Sequence, residues 1–258
     1  VISNSFYYLY NLDYVSKNNQ MRNIFFSIIL ILVSFSVAAQ EKLDINVPFS
    51  AIDIRGSVEV TIFQTTDDDT ATRATLNLLD GLRLSDVKCE VKKGCLNVDA
   101  ERGLLERRGV VKLEIHVPSL TTIYSKGAII STDSCLTSEN LTVETLGAEN
   151  TITLNVEVKN LIVNSSGASD IVLTGRVDQA VLNSKLTGRI DMLHCVTTSA
   201  YCKVSEASEI YIFALDLLDT KATTMGTIYY MGDPTLKVKN SLWGKVISLK
   251  EYASKNLQ

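Results

Sequence analysis

The sequence has 258 residues, 46% of them hydrophobic, and a net charge of −4 at pH 7. Three prolines and 13 glycines are too few for a disordered or collagen-like chain, and lysines and arginines scattered along a mildly acidic sequence argue against nucleic acid, which calls for a clustered basic face. Two histidines far apart, and no Cys-x-x-Cys pair, argue against a zinc site.

Residues 1–20 are rich in Asn, Tyr and Ser, resemble no targeting element, and read as an over-extended, non-native start. Residues 21–39 read as a secretory signal peptide. Arg22 supplies a basic start, Ile24 to Val33 an apolar run, and Val37, Ala38 and Ala39 the small residues for cleavage before Gln40. The apolar core runs only ~10–14 residues before serines interrupt it, short of the ~20 that span a bilayer. No Cys follows the cleavage site, so no lipid anchor is expected there, and the mature chain holds no transmembrane segment.

From Leu43 onward the period is two. Leu43-Asp-Ile-Asn-Val47, Ile52-Asp-Ile54, Val58-Glu-Val-Thr-Ile62, Cys89-Glu-Val91, Leu96-Asn-Val98 and Val111-Lys-Leu-Glu-Ile-His-Val117 all alternate apolar with polar residues, the pattern of half-buried strands. Thr72 to Asp80 fits a short helix or another strand. Asp67, Asp68 and Asp69 are consecutive and project to different sides, so they read as a solvated turn rather than a calcium loop, whose ligands are spaced and followed by Gly. Residues 40–117 therefore read as an N-terminal β layer of hairpin-like strands, ending in the charged loop Ala100 to Gly109.

Five cysteines in an exported chain leave at least one unpaired. Cys89 and Cys95 flank a predicted hairpin turn, Val91-Lys-Lys-Gly94, and a bridge between them needs both side chains on one side. The favoured reading is free cysteines serving as small buried hydrophobes.

From Pro118 to residue 258 a repeat of about 20 residues takes over. Leu141-Thr-Val-Glu-Thr-Leu-Gly, Leu161-Ile-Val-Asn-Ser-Ser-Gly and Ala180-Val-Leu-Asn-Ser-Lys-Leu align, and the register carries on from Ala200 and Leu218 to a last rung at Val246. A fixed period of this length marks a stack in which each repeat buries its apolar positions on its neighbours. The fold class expected is all-β: a right-handed parallel β-helix, or β-solenoid, entered through the N-terminal layer. The register predicts an inward ladder of Thr151, Ile171, Ile190, Ile210, Ile228 and Val246. It predicts an outward ladder of Asn150, Asp170, Arg189 and Glu209, and it puts Cys202 in the buried column of Val143, Val163 and Leu182. Gly147 and Gly167 mark bends that need φ > 0.

Chemistry is harder to find. His116 and His194 sit in apolar alternations and read as core residues, so no Ser/His/Asp triad can be argued. No Gly-x-Ser-x-Gly elbow or phosphate loop is present, and no outward row stacks the carboxylates that a polysaccharide-cleaving β-helix enzyme places together. No catalytic, cofactor-binding or metal-binding residues are assigned, and ligand-binding residues are unknown. Tyr124, Tyr201, Tyr211, Tyr229, Tyr230 and Trp243 are candidate stacking surfaces for sugars, against the plainer expectation that most fill the core or cap its end.

Gly226-Thr-Ile-Tyr-Tyr-Met-Gly-Asp-Pro234 resembles the closing G-x-x-x-Y-x-G-x-P of the putative auto-transporter adhesin head, or GIN, domains of Bacteroidetes. Val111-Lys-Leu-Glu-Ile-His-Val-Pro-Ser-Leu120 is similar to their central strand followed by Pro-x-Leu, and Asn77-Leu-Leu-Asp80 and the Gly-Ala-Ser of 167–169 fit as well. The chain departs where repeat glycines become Leu186, Glu206 and Thr224. The resemblance implies a right-handed β-solenoid and a cell-envelope role, with no catalytic residues to transfer. The expectation is an exported, non-enzymatic, adhesin-like platform, periplasmic or at the cell surface, for a glycan or a cell-surface protein. It is expected to be a monomer or weak homodimer, and the alternative is a carbohydrate-active β-helix enzyme, a polysaccharide lyase or hydrolase.

Overall fold

A computed structural model describes residues 41–65, 71–79, 82–100, 110–240 and 243–251. The expected extension and signal peptide, the acidic turn 67–69, loop residues 101–109 and the tail from 252 lie outside the described residues.

The alternating segments all form strands. In the first half these are β1 (Glu41–Ile45), β2 (Ala51–Arg55), β3 (Val58–Gln64), β4 (Arg73–Leu78), β5 (Lys88–Lys92), β6 (Cys95–Asp99) and β7 (Val111–Val117). The segment open to helix or strand is thus the strand β4. Then follow β8 (Thr122–Lys126), β9 (Ile129–Thr132), the long β10 (Leu136–Leu186), β11 (Arg189–Val204), β12 (Glu209–Ala222), β13 (Thr227–Met231), β14 (Thr235–Asn240) and β15 (Lys245–Ser248). They join in one curled, 15-stranded sheet, and the fold is all-β as its alternation requires.

Most pairing is parallel. Ile171, Ile190, Ile210, Ile228 and Val246 sit opposite one another on successive strands. The four isoleucines are fully buried, and Val246 packs against the same core at its edge. Leu182 pairs with Cys202, also buried, as the repeat register requires. β-Branched side chains stack well here because strands ~4.8 Å apart bring like side chains into contact.

The register slips at one place. Thr151 is exposed and Ile152 takes the inner position, paired with Ile130, while Asn150 is buried and leaves the outward ladder that Asp170, Arg189 and Glu209 continue. The cause lies in the bend. Gly147 and Glu149 both have positive φ, and Gly147–Asn150 is one residue longer than the matching Gly167–Ser169. The extra residue turns Asn150 inward. There its Oδ1 accepts from the Ser125 hydroxyl (2.9 Å) and the Gly127 N–H (2.8 Å). Its Nδ2 donates to Leu146 O and to Ser169 Oγ, each at 3.2 Å. Every hydrogen-bonding edge of a buried amide is engaged, which is what burial demands.

The bends recur where expected. Gly167 has φ +126, and a Cβ there would collide with the Gly147 carbonyl. In the following repeats Leu186, Glu206, Thr224 and Trp243 adopt φ between 54° and 76°, so the bend survives the loss of glycine.

The first half is less hairpin-like than its sequence suggests. β2 pairs in parallel with β6 and β8, and β3 with β7 and β9. Only β1, β4 and β7, and the β5–β6 hairpin, are antiparallel. That hairpin turns through Lys93 and Gly94, both at positive φ, the geometry that matches strand twist. In it Cys95 faces Lys92 and Cys89 faces Val98, and all five cysteines are free. One buried cluster runs from Phe49 to Ile228.

Candidate binding surface

Two stacked columns of strands present outward side chains, and register decides which of them meet. On the first column, Asp53 lies beside Tyr124 and Asn97, and Tyr124 beside Glu144. The ladder continues by hydrogen bonds: Asn164 Nδ2 donates to Glu144 Oε1 (3.3 Å), and Asn183 Nδ2 to Asn164 Oδ1 (2.9 Å). Asn183 is then followed in register by Lys203, Lys221 and Lys239. Lys237 and Lys185 flank this row. Asp219, between Tyr201 and Lys237, lies 3.9 Å from Lys239. A groove of about 410 Å³ opens along the asparagine ladder, with Tyr124, Leu146, Ser166, Lys185 and Lys203 on its walls.

These cations are scattered in sequence and gathered in space. Lys203, Lys221 and Lys239 each stand three residues after a repeat start (Ala200, Leu218, Leu236), so the repeat register carried the signal, unread.

The second column is aromatic. The Tyr211 and Tyr229 rings stack in register (centroids 4.6 Å apart, 13° between planes), and the Arg189 guanidinium covers Tyr211 at 4.7 Å. Tyr211 donates its hydroxyl to Glu209 (3.0 Å). Burial, with that bond, pushes its hydroxyl up to about 12. Here aromatic faces are spent on each other and on Arg189. Of the six aromatic candidates, only Tyr230 packs on the core, Trp243 is exposed, and Tyr124, Tyr201, Tyr211 and Tyr229 are half-buried at outward positions. Those four depart from the expectation that most of the six fill the core or cap its end.

The histidines fail it too. His116 is half-buried and stacks on Phe63 at 4.8 Å, while His194 is exposed. A wider groove of about 810 Å³ includes Glu139, Lys159, Arg176 and Asp178. Four of its charges pair, Lys159–Glu139 at 3.3 Å and Arg176–Asp178 at 3.8 Å, and Glu157 adds a third carboxylate to the lining. Among the described residues no three His, Cys, Asp or Glu side chains converge as a metal site would need. None of the helices there is long and apolar enough to cross a membrane.

Known proteins place this geometry in a family. The sequence model described as "Putative auto-transporter adhesin, head GIN domain" matches residues 48–234. Similar crystal structures include a putative adhesin from Bacteroides fragilis, with 22% identity and a TM-score of 0.70, covering 81% of this chain and 96% of that one. A putative lipid binding protein from Parabacteroides distasonis shares 20% identity at a TM-score of 0.63, with coverage of 81% and 96%. A putative adhesin from the same species shares 18% at 0.56, with coverage of 81% and 97%. No curated protein matches the sequence. At these identities the solved structures support the fold alone. The family match spans well over half the chain, which therefore belongs to the putative auto-transporter adhesin family with a head GIN domain.

Proposed function

We propose that this chain is an exported, non-enzymatic protein of the cell envelope, an adhesin-like platform that binds a glycan or protein partner along its outward strand faces. The observation that carries the reading is the run of in-register outward ladders on a parallel sheet. Such a surface offers many fixed hydrogen-bonding and stacking groups at a ~4.8 Å repeat, which suits an extended ligand more than a reacting bond. Its architecture is a right-handed parallel β-helix from residue 118 on, entered through the layer of 40–117. Parallel register at offsets of 18 to 20 residues supports the helix, and the general preference of parallel connections supports the hand.

Export rests on the basic-then-apolar sequence of 21–39, and periplasm or cell surface are its two addresses. The expected state is a monomer or a weak homodimer. A glycan array probed beside a reducing-sugar release assay tests the reading. Binding without turnover is expected, and turnover of any polysaccharide would replace it with a carbohydrate-active enzyme.

A further inference from the structure

Lys203, Lys221 and Lys239 pose a physical problem. They lie directly opposite one another on neighbouring strands, where like charges destabilise a sheet. Lys185 and Lys237 border the row, and Asp219 is set beside it, answering Lys239. Among the described residues, Lys185, Lys203, Lys221 and Lys237 have no ion-pair partner. A chain of net charge −4 thus concentrates unpaired cations on one face, although opposite-sign pairs are used freely elsewhere, as at Lys159–Glu139 and Arg189–Asp191. Nothing in the packing requires this, because the aliphatic core lies on the other side of these strands.

The groove beside the row adds an independent indication of what fills the face. Its floor is the ladder of Asn164 and Asn183, whose amides keep donors and acceptors beyond the bonds they exchange. Tyr124 and Leu146 provide apolar wall, Glu144 lies at their end with its carboxylate held by Asn164, and Lys185 and Lys203 close the opposite, basic end. Tyr201, half-buried, stands two residues before Lys203 on the same outward side. Amides for hydroxyls, a ring for a sugar face and ammonium groups for anions, repeated along one axis, are the recognition elements of an acidic polysaccharide. A flat bilayer surface would not need the groove, and duplex DNA would not need the amide ladder.

We infer that the face of Lys185, Lys203 and Lys221, with the Asn164–Asn183 groove, binds an anionic polysaccharide along the stacking direction of the strands. This deepens the binding-platform reading and rests on it. The ligand's carboxylates or sulfates relieve the repulsion that the free protein carries, so binding weakens with salt.

The test is retention of the purified protein on immobilised polygalacturonate (carboxylate) and chondroitin sulfate (sulfate), against neutral dextran, phosphatidylserine vesicles and duplex DNA. The variants are Lys203→Gln/Lys221→Gln and, as a control on another face, Lys159→Gln/Arg176→Gln. Retention by at least one acidic glycan is expected, weakened about tenfold or more in the first variant and unchanged in the control. The carboxylated and sulfated arms say which anion is read. The first variant should also melt at or above the wild-type temperature, an outcome a merely structural role for the lysines would reverse. Equal retention of wild type and the Lys203/Lys221 variant, or no retention by either acidic glycan, overturns the inference. So does preference for vesicles or DNA. Dextran binding that ignores these lysines would overturn it while leaving the platform intact, whereas release of reducing ends from polygalacturonate would overturn the platform reading itself.

Discussion

Ile190 and Arg189 are neighbours in sequence and opposites in environment. Ile190 is fully buried between Ile171 and Ile210, and Ile190→Asp would place a carboxylate there without a partner, a loss of several kcal/mol (about 3 or more) or no folded protein. Arg189 is half-exposed and shares its charge with Asp191 at 2.7 Å, so Arg189→Ala should change stability by under ~1 kcal/mol. Thermal melts of the two variants decide this, and equal effects would refute the facing assignment. The cysteines give a second reading of burial. Desolvation pushes the Cys195 thiol up to about 12 and raises that of Cys202 further, so at pH 8 neither holds a thiolate and neither is nucleophilic. A thiol-titrating disulfide reagent should find both silent in the native protein and all five cysteines reactive in denaturant. Rapid native labelling of Cys202 would show that its column is not closed.

Bends decide where the sequence could be read and where it could not. Strand position and inward parity were legible because a half-buried strand leaves a period-two trace in any short window. That is why Ile171, Ile190 and Ile210 fell into place. The slip at Asn150 was not legible, because one added residue in a bend leaves no periodic trace and a polar Asn looks outward by default. Its burial is set by four hydrogen bonds that only the folded corner brings together. The lysine row was legible in principle, but only after aligning repeats. Asn150→Ala should cost about 2–4 kcal/mol, since it leaves the Gly127 N–H and the Ser125 hydroxyl without their acceptor; chemical denaturation would measure it. The opposite sign is expected at Leu186, exposed at φ +71. Leu186→Gly removes a left-handed strain of ~1–2 kcal/mol against a glycine entropy penalty of ~0.5–1 kcal/mol, a net gain of up to about 1.5 kcal/mol and a raised melting temperature. A fall in melting temperature would mean that Leu186 packs better than its exposure suggests.

At the scale of the whole molecule the two ends of the sheet differ. At one end the antiparallel strands β1, β4 and β5 lie over the stack, and Leu43, Ile45, Cys89 and Val91 pack against the core. This edge also bears Lys88, Glu90 and Lys92, a charged rim of the kind that discourages edge-to-edge pairing. At the other end β14 adds to β12 and β15 to β13, with no strand beyond either among the described residues. Leu236 and Val238 pair with the fully buried Leu218 and Thr220, yet are 38% and 46% exposed. The same register position that is dry one strand earlier is wet here. In a stack whose stability is a sum of repeat and nearest-neighbour terms, the repeat with one neighbour opens first. Amide exchange should therefore be graded: β14 and β15 should exchange roughly a hundredfold or more faster than β11, which is flanked on both sides. β7, held between β3 and β4, should be protected like β11 despite lying near the other end. Mass-resolved hydrogen exchange on the native protein measures the gradient. Uniform protection from β7 to β15 would mean that the molecule unfolds as one cooperative block and that the exposed Leu236 and Val238 mark no weak end.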